Sequence, residues 1–401
     1  MKRIAERLMA VCFLGFLAAG LAACLLRDRQ DVSFWENRML AALPQPGPES
    51  VADGSYFTQM ERYLADHTPL RTTLLKLKTR CDLTLGRPVV NDVVVTRDSL
   101  LPFLPYGIDS QEDIDRWAGI MADNLAGIMA DNLAGINAAV TEYGGYFLYA
   151  VVPCQSVSRA DEYPWYLNSE ARRSQMKGAS MARAMAERGV PFLDVEAALA
   201  QSGGSARYAS RVDNHYSMEG AFETYRLILE QAAQDTGLSF PILTQDDFTL
   251  ETLPNDYLGS RERKLLNLER REEQLSILLP KEPVPFTRWD NGEPAGSGVY
   301  RLPAGPEEKL DYSLYMGGDI ANTVIHTGRE ELPSILIYGD SFTNPVECLA
   351  YLSFDETHSL DLRHYRDMGL LDYIRQFRPE LVVCIRDYDF MMAPDGNGGG
   401  D

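Results

Sequence analysis

The most distinct apolar pattern of the chain lies at its N-terminus. An uninterrupted apolar run from Leu8 to Leu26 follows the basic residues Lys2, Arg3 and Arg7. As a helix, these nineteen residues span about 28 Å, which is close to the thickness of the hydrocarbon core of a bilayer. The basic residues before the run predict that the rest of the chain lies outside the cytoplasm. The pattern therefore predicts a membrane segment.

Two forms of this segment stay open. Leu21-Ala22-Ala23-Cys24 is similar to a bacterial lipobox, in which the cysteine is lipidated and becomes the mature N-terminus. Leu25 and Leu26 instead continue the pattern of an uncleaved membrane helix. Both forms predict a protein at the cell membrane, single-pass or lipid-anchored, with an extracytoplasmic globular domain.

The remaining pattern divides the chain into four parts. Residues 1–26 form the anchor or lipoprotein signal, and residues 27–55 form a polar, proline-punctuated juxtamembrane linker. Residues 56–394 form the globular domain, in which 243–302 is predicted to be an irregular insertion. Residues 395–401 form a Gly-rich, flexible tail.

Strand and helix signals alternate over most of the globular domain. Helical spacing covers 56–78 and 111–143, and a β-branched run over 89–96 predicts a strand or hairpin arm. Further strands are predicted at 146–152, 190–193, 334–338, 359–362 and 381–385, with helices at 169–188, at 217–235, after 343 and at 367–377. This alternation predicts a three-layer α/β domain with a mostly parallel sheet.

Charge and composition exclude several kinds of partner. The net charge of −20 argues against nucleic acid, because no concentrated basic surface is available to bind phosphates. The chain has no Gly-rich phosphate loop followed by Lys-Ser or Lys-Thr, which argues against a nucleotide-binding module. The six cysteines lack metal-ligand spacing and indicate no disulfide framework, and neither a metal nor a cofactor is predicted.

A candidate nucleophile follows the buried strand at 334–338. The strand runs into Gly339-Asp340-Ser341-Phe342, which places Ser341 at the carboxyl edge of the sheet, where open α/β sheets carry their active sites. A serine there can present its own backbone N–H to an oxyanion. A bare Gly-Asp-Ser tripeptide is also typical of an ordinary turn that caps a helix.

A serine hydroxyl needs a base within hydrogen-bond reach. His215 is the preferred base, because it lies in Asp213-Asn214-His215-Tyr216 just before a predicted helix, and Asp213 can orient its imidazole. This stretch is also compatible with a histidine that simply lies in a loop. His358 and His364 are the fallback bases, because both follow Ser341 closely in the sequence.

Asp-x-His before a helix and Gly-Asp-Ser-Phe after a later strand together resemble the DHHW family of SGNH-hydrolase-like proteins and the related alginate O-acetyltransferase proteins. The name motif Asp-His-His-Trp reads Asp213-Asn214-His215-Tyr216 here, so the first and third positions are kept. Further matches to the family layout are Glu36-Asn37-Arg38, Leu43-Pro44, Asp66-His67, Arg71, Val152-Pro153, Gly259-Ser260, Tyr312 to Gly318 and Ile335 to Val383.

The resemblance implies an SGNH-hydrolase-like fold with Ser341, His215 and Asp213 as a catalytic triad. It implies O-acetyltransferase or esterase chemistry on a cell-surface polysaccharide or envelope glycan, together with other polysaccharide-export or acetylation proteins. A non-catalytic, tethered glycan-binding or assembly protein is the alternative. The weaker candidates for substrate binding are Tyr216, Asn344, Gln155, Arg363 and Arg386. Asn344 and Gln155 are also the candidate oxyanion donors, and for the two arginines a structural salt bridge is the competing hypothesis.

Overall fold

The computed structural model describes residues 2–26, 31–36, 38–103, 123–296, 298–393 and 396–398. The chain divides into two compact units. One comprises Met1–Val93 and Glu262–Arg270, and the other Val94–Arg261 and Arg271–Asp401. Residues 56–93 therefore group with the N-terminal unit, whereas the sequence predicted one domain over 56–394.

The N-terminal unit begins with the apolar helix. Among the described residues, one helix is long and apolar enough to cross a membrane, and almost none of its apolar surface is covered, as the sequence predicted. The elements of this part are α1 (Lys2–Leu26), β1 (Val32–Ser33), β2 (Arg38–Met39), α2 (Pro48–Ala52), α3 (Ser55–Asp66), α4 (Arg71–Thr84) and β3 (Val89–Val90). The single predicted helix over 56–78 is thus two helices, which are separated at His67–Leu70.

Ion pairs fasten the linker segment to α3 and α4. Arg71 binds both carboxylate oxygens of Glu36 at 2.5 and 2.9 Å. Arg38 and the backbone N–H of Ala41 both donate to Asp66 at 2.9 Å. The Arg38 guanidinium lowers the pKa of Asp66 to about 2. Four residues that match the layout of the DHHW family thus form stabilising contacts within this unit, namely Glu36, Arg38, Asp66 and Arg71.

The other unit contains the central sheet. The remaining strands are β4 (Val93–Val95), β5 (Leu100–Pro102), β6 (Tyr146–Val152), β7 (Phe192–Asp194), β8 (Phe248–Thr252), β9 (Ser276–Pro280), β10 (Thr287–Asp290), β11 (Glu293–Pro294), β12 (Asn322–His326), β13 (Ile335–Gly339), β14 (Glu356–Leu360) and β15 (Leu381–Asp387). Eight of them form one sheet in the order β11-β10-β12-β14-β13-β15-β6-β7. Its pairs from β14 to β7 are parallel, so the predicted sheet is confirmed.

Two sets of helices accompany this sheet and complete three layers. The remaining helices are α5 (Asp123–Thr141), α6 (Gln155–Ser158), α7 (Ser169–Glu187), α8 (Val195–Ala200), α9 (Met218–Thr236), α10 (Ser260–Lys264), α11 (Asn344–Ala350) and α12 (Leu370–Phe377). Helix α9 packs with α11, whereas α5 packs with α7 and α12, and both sets contact β6. The predicted helix over 111–143 is described only from Asp123 onward, and its earlier part lies outside the described residues.

The structure differs from the sequence-based expectation within two segments. The segment 243–302 contains the antiparallel pair β8–β9, and its β10 and β11 extend the central sheet. These strands are only two to five residues long, which is too short for a strand period to be evident in the sequence. Within the predicted tail, Asn397 is buried and its side chain accepts a hydrogen bond from the Tyr149 hydroxyl at 2.9 Å. That buried bond ties 396–398 to the core.

Candidate active site

The turn that carries Ser341 leaves the middle of the sheet. Strand β13 is buried throughout and ends at Gly339, and α11 begins three residues after Ser341. A Cβ at Gly339 would lie 2.1 Å from the carbonyl oxygen of Ile385 on β15. The glycine is therefore required for close strand approach. The Asp340 carboxylate then accepts the N–H of Phe342 at 3.0 Å and fixes the turn.

The loop that carries His215 is held by its own backbone and by Ser210. The Ser210 hydroxyl accepts hydrogen bonds from the N–H groups of Val212 and Asp213 at 3.1 and 2.9 Å. The N–H of Ser210 donates to the carbonyl of His215 at 3.1 Å. Ser217 then caps α9, because its hydroxyl accepts from the N–H of Gly220. The loop thus has one defined shape at the start of a helix.

The structure brings Ser341, His215 and Asp213 into one chain of hydrogen bonds. His215 Nε2 lies 2.7 Å from Ser341 Oγ, and His215 Nδ1 lies 2.5 Å from Asp213 Oδ1. An ionised Asp213 can only accept, so Nδ1 carries the proton and Nε2 is left to accept from the serine hydroxyl. This is the arrangement that activates a serine nucleophile.

The charge of Asp213 is stabilised inside the protein. Its side chain is buried, and burial alone would raise its pKa. The interaction with His215 and the hydrogen bond from the Ser260 N–H outweigh burial and hold the pKa of Asp213 well below its usual range. The Ser260 N–H donates to Asp213 Oδ2 at 2.6 Å, so both carboxylate oxygens have partners.

Two aromatic rings enclose the imidazole. The ring of Tyr312 stacks on His215 with centroids 3.8 Å apart and planes only 10° apart. Phe342 packs against His215 at 4.8 Å between centroids. These contacts fix the plane of the imidazole between the carboxylate and the serine. Ser260 and Tyr312 lie in stretches that the sequence marked only as family layout, and their roles were not foreseen.

The oxyanion donors proposed from sequence are occupied elsewhere. The Asn344 amide donates to Asp319 at 3.2 Å. The buried Gln155 amide donates to the carbonyls of Leu100 and Ser210. Gln155 thereby stabilises the loop that carries His215. Both amides thus have partners within the protein, and their role as oxyanion donors stays a prediction. The backbone N–H of Ser341 makes no hydrogen bond among the described residues and stays available.

The other candidate substrate-binding side chains also form contacts within the protein. The Tyr216 side chain is buried, and its hydroxyl donates to the backbone carbonyl of Phe342, so this hydroxyl is already engaged within the protein. Arg363 is paired with Asp361 and Asp319 at 2.6 and 3.0 Å. The Arg386 side chain is buried, and its Nη1 lies 3.3 Å from Asp340 Oδ2. For both arginines the structure favours the salt-bridge hypothesis.

The fallback bases have other partners. His358 is buried in β14, where its Nδ1 lies 2.6 Å from the Tyr373 hydroxyl, and burial lowers its pKa. His364 is about half exposed, and its Nε2 lies 3.9 Å from Asp361 Oδ2. Ser341 Oγ is instead bonded to His215, which leaves His215 as the base that the geometry supports.

Within the part of the chain that the structure describes, two groups of possible metal ligands have ligand atoms within 4.8 Å of one another, namely Cys154 with Asp387 and Asp389, and Asp319 with Asp361 and His364. Burial raises the pKa of both the Cys154 thiol and the Asp387 carboxyl, so these two side chains tend to keep their protons. The carboxylates of the second group already bind Arg363. Neither arrangement favours a metal ion over the contacts already present.

The fold of this chain recurs in solved structures. No family model and no curated protein matches the sequence. Matching structures include Bacillus cereus PatB1 with a sulfonyl adduct, at 18% identity and a TM-score of 0.60, covering 77% of this chain and 97% of that one. A DHHW family protein from Eubacterium siraeum matches at 18% identity and a TM-score of 0.55, covering 76% and 93%.

The chain has the fold of the DHHW family protein. The resemblance inferred from Asp-x-His and Gly-Asp-Ser-Phe is thus confirmed at the level of the fold. At these identities the similarity concerns architecture, and the chemistry has to be argued from the site itself. The DHHW-like fold explains why two motifs separated by 126 residues meet at one edge of the sheet.

Proposed function

We propose that the protein performs serine-dependent acyl-ester chemistry on a cell-surface polysaccharide or another envelope glycan, as an O-acetyltransferase or a carbohydrate esterase. The observation that carries the proposal is the continuous hydrogen-bond chain Ser341–His215–Asp213. A buried carboxylate, an oriented imidazole and a serine at the carboxyl edge of a parallel sheet form a nucleophile with its base.

The first half-reaction transfers the acyl group to the enzyme. Ser341 Oγ attacks the carbonyl carbon of the ester while His215 Nε2 takes its proton. The free N–H of Ser341 stabilises the oxyanion. When the intermediate collapses, the C–O bond of the ester breaks, and His215 returns the proton to the departing alcohol. An acyl-Ser341 ester remains.

The second half-reaction restores the serine. A hydroxyl attacks the acyl-Ser341 carbonyl, His215 takes the hydroxyl proton, and the proton passes to Ser341 Oγ as the ester bond breaks. A sugar hydroxyl as acceptor gives a transferase, and water gives an esterase. Transfer requires that the bound sugar hydroxyl outcompete water at about 55 M, so acceptor positioning decides between the two.

The location belongs to the proposal. An apolar helix whose surface is almost entirely uncovered is suited to a bilayer, and at 22 residues its span is about 33 Å long. A tethered extracytoplasmic domain has envelope glycans within reach. Mass spectrometry of the membrane-extracted protein distinguishes the two anchors, because an uncleaved chain retains the Lys2–Leu26 peptide, whereas a lipoprotein begins at a lipidated Cys24.

The test of the activity uses the full-length chain in detergent. A chromogenic acetyl ester should be hydrolysed by the wild type, and Ser341→Ala should reduce turnover to the uncatalysed background. Ser202→Ala is the matched control, because Ser202 is an exposed serine outside the triad and should keep full activity. Turnover in Ser341→Ala equal to the wild type would refute Ser341 as the nucleophile.

A second readout separates catalysis from glycan binding. A sulfonyl fluoride should modify Ser341 of the wild type, detected by peptide mass, and should react far more slowly with His215→Ala. An oligosaccharide added to the ester assay should become acetylated if the protein is a transferase, whereas acetate release alone indicates an esterase. A wild-type chain that shows neither turnover nor modification would favour the non-catalytic glycan-binding alternative.

A further inference from the structure

The first residues of α10 and the residues just before it run directly past Asp213, the acid of the triad. The Ser260 N–H donates to Asp213 Oδ2 at 2.6 Å. The next N–H, that of Arg261, donates to the carbonyl of Val212 at 2.9 Å. The Arg261 guanidinium also donates to the Asn214 side chain at 3.2 Å. Backbone and side chain together thus bind three successive residues, Val212 to Asn214.

Glycine at position 259 is what permits this approach. A Cβ there would lie 2.3 Å from the Val212 carbonyl oxygen and 2.6 Å from Val212 Cγ2. Any other residue would push the segment away from the His215 loop. The Ser260 N–H would then move out of reach of Asp213.

The same segment is joined to the residue that stacks on the imidazole. The Leu258 N–H donates to the Leu310 carbonyl at 2.8 Å, and the Leu310 N–H donates to the Asp256 carbonyl at 2.9 Å. Two residues later, Tyr312 covers the His215 ring. One backbone connection therefore supports both the carboxylate and the imidazole.

We propose that the Ser260 backbone N–H is a positioning group that fixes the rotation of the Asp213 carboxylate, so that Oδ1 stays aligned with His215 Nδ1. This inference rests on the proposed function for its kinetic consequence. A buried carboxylate oxygen that loses a donor is costly, and without the 2.6 Å bond at Oδ2 the carboxylate turns more freely about its Cβ–Cγ bond, even though the Tyr257 side chain is a further hydrogen-bond partner. The N–H of Ser260 removes both problems.

The side chain of Ser260 is not needed for this role. Its hydroxyl is buried and has no hydrogen-bond partner among the described residues. Ser260→Ala therefore keeps the donor, whereas Ser260→Pro deletes it. Ser260 is the first residue of α10, where the helix backbone accepts proline, and the preceding Gly259 has no side chain to clash with the ring. The ring Cδ takes the place of the N–H proton, so it also displaces Asp213 Oδ2, which lies 2.6 Å from the nitrogen.

The kinetic test compares these two variants in the full-length chain with the chromogenic acetyl ester. We expect Ser260→Ala to match the wild type and Ser260→Pro to lower kcat by about 10- to 100-fold, with KM unchanged. A raised KM at unchanged kcat would overturn the proposal. Thermal melting of both variants checks that each is folded.

A spectroscopic readout makes the test independent of activity. The hydrogen bond between His215 and Asp213 should give a low-field imidazole N–H resonance in the wild type that disappears in Asp213→Ala. The resonance should persist in Ser260→Ala and shift or broaden in folded Ser260→Pro. An unchanged resonance in Ser260→Pro would refute the positioning role, even if the protein had no esterase activity.

If Ser260→Pro does not fold, the amide of Ser260 itself provides the test. In the ¹⁵N-serine-labelled wild type, this amide is identified by its absence in Ser260→Ala. A bond to a carboxylate places its proton at low field, and Asp213→Asn should move it upfield. No change in that signal would contradict the proposal.

Discussion

The hydroxyl of Tyr216 donates a hydrogen bond to the backbone carbonyl of Phe342, the residue that follows Ser341. The bond is buried and joins two residues that are 126 positions apart in the chain. It connects the loop of the base directly to the turn of the nucleophile. Tyr216 occupies the fourth position of the Asp-His-His-Trp motif, so the altered motif residue has a structural role here.

Removal of this hydroxyl should loosen the connection between the two loops. Tyr216→Phe leaves the Phe342 carbonyl buried without its donor, and we expect a loss of about 1–3 kcal/mol in the free energy of unfolding. We also expect kcat to fall, because the distance between His215 and Ser341 becomes less fixed. Urea denaturation and ester hydrolysis measure the two effects. Tyr166→Phe, at a partly exposed tyrosine, is the control and should change neither quantity.

Gly339 should not tolerate even a methyl group. In Gly339→Ala the new Cβ would meet the Ile385 carbonyl 2.1 Å away, which forces β13 and β15 apart. We expect a loss of at least about 2 kcal/mol in the free energy of unfolding. Gly135→Ala is the matched control, because no atom lies within 4 Å of its Cβ, and alanine should stabilise α5 by about 0.5–1 kcal/mol. Equal melting temperatures for the two variants would contradict this explanation.

Tyr312 should act through its ring rather than through its hydroxyl. The stacked ring fixes the plane of His215 and attracts the imidazolium that forms during proton transfer. We expect Tyr312→Phe to keep at least half of the wild-type kcat and Tyr312→Leu to lower kcat about tenfold. The rate of sulfonyl fluoride modification of Ser341 provides a second measure. If the hydroxyl, which lies 3.2 Å from the Tyr216 carbonyl, were the essential part, the phenylalanine variant would lose as much activity as the leucine variant.

Glu347 should make stability depend on pH. Burial raises its pKa in the folded protein, so the folded state holds a proton that the unfolded chain releases above about pH 4.5. Stability from this group therefore falls as the pH rises through that value toward the folded pKa. Glu347→Gln keeps an acceptor for the Thr343 hydroxyl but cannot ionise.

We expect the stability of Glu347→Gln relative to the wild type to increase between pH 5 and pH 8, measured by urea denaturation across that range. Glu330→Gln, at an exposed glutamate, should show no such trend. Parallel pH profiles for the wild type and Glu347→Gln would argue that Glu347 ionises normally in the folded protein.

Local sequence patterns were sufficient to predict the sheet and the approximate position of the triad residues. The buried runs of β6, β13 and β15 and the helical spacing after them were sufficient to predict a mostly parallel sheet, because a buried strand followed by a helix favours a parallel connection. Asp213 and His215 are two residues apart, so their pairing was readable from the chain. The buried strand that ends just before Ser341 was sufficient to place this serine at the carboxyl edge of the sheet.

The tertiary structure alone decided which groups complete the site. Ser260 and Tyr312 reach the triad through contacts across sequence separations of 47 and about 97 residues, and neither has a local pattern that announces its partner. Gln155 and Asn344 carry the right amides but bind other groups. Backbone N–H groups and aromatic ring faces occur throughout any chain, so their identity carries little information. Only the fold determines which of them lie within hydrogen-bond or stacking distance of the reacting residues.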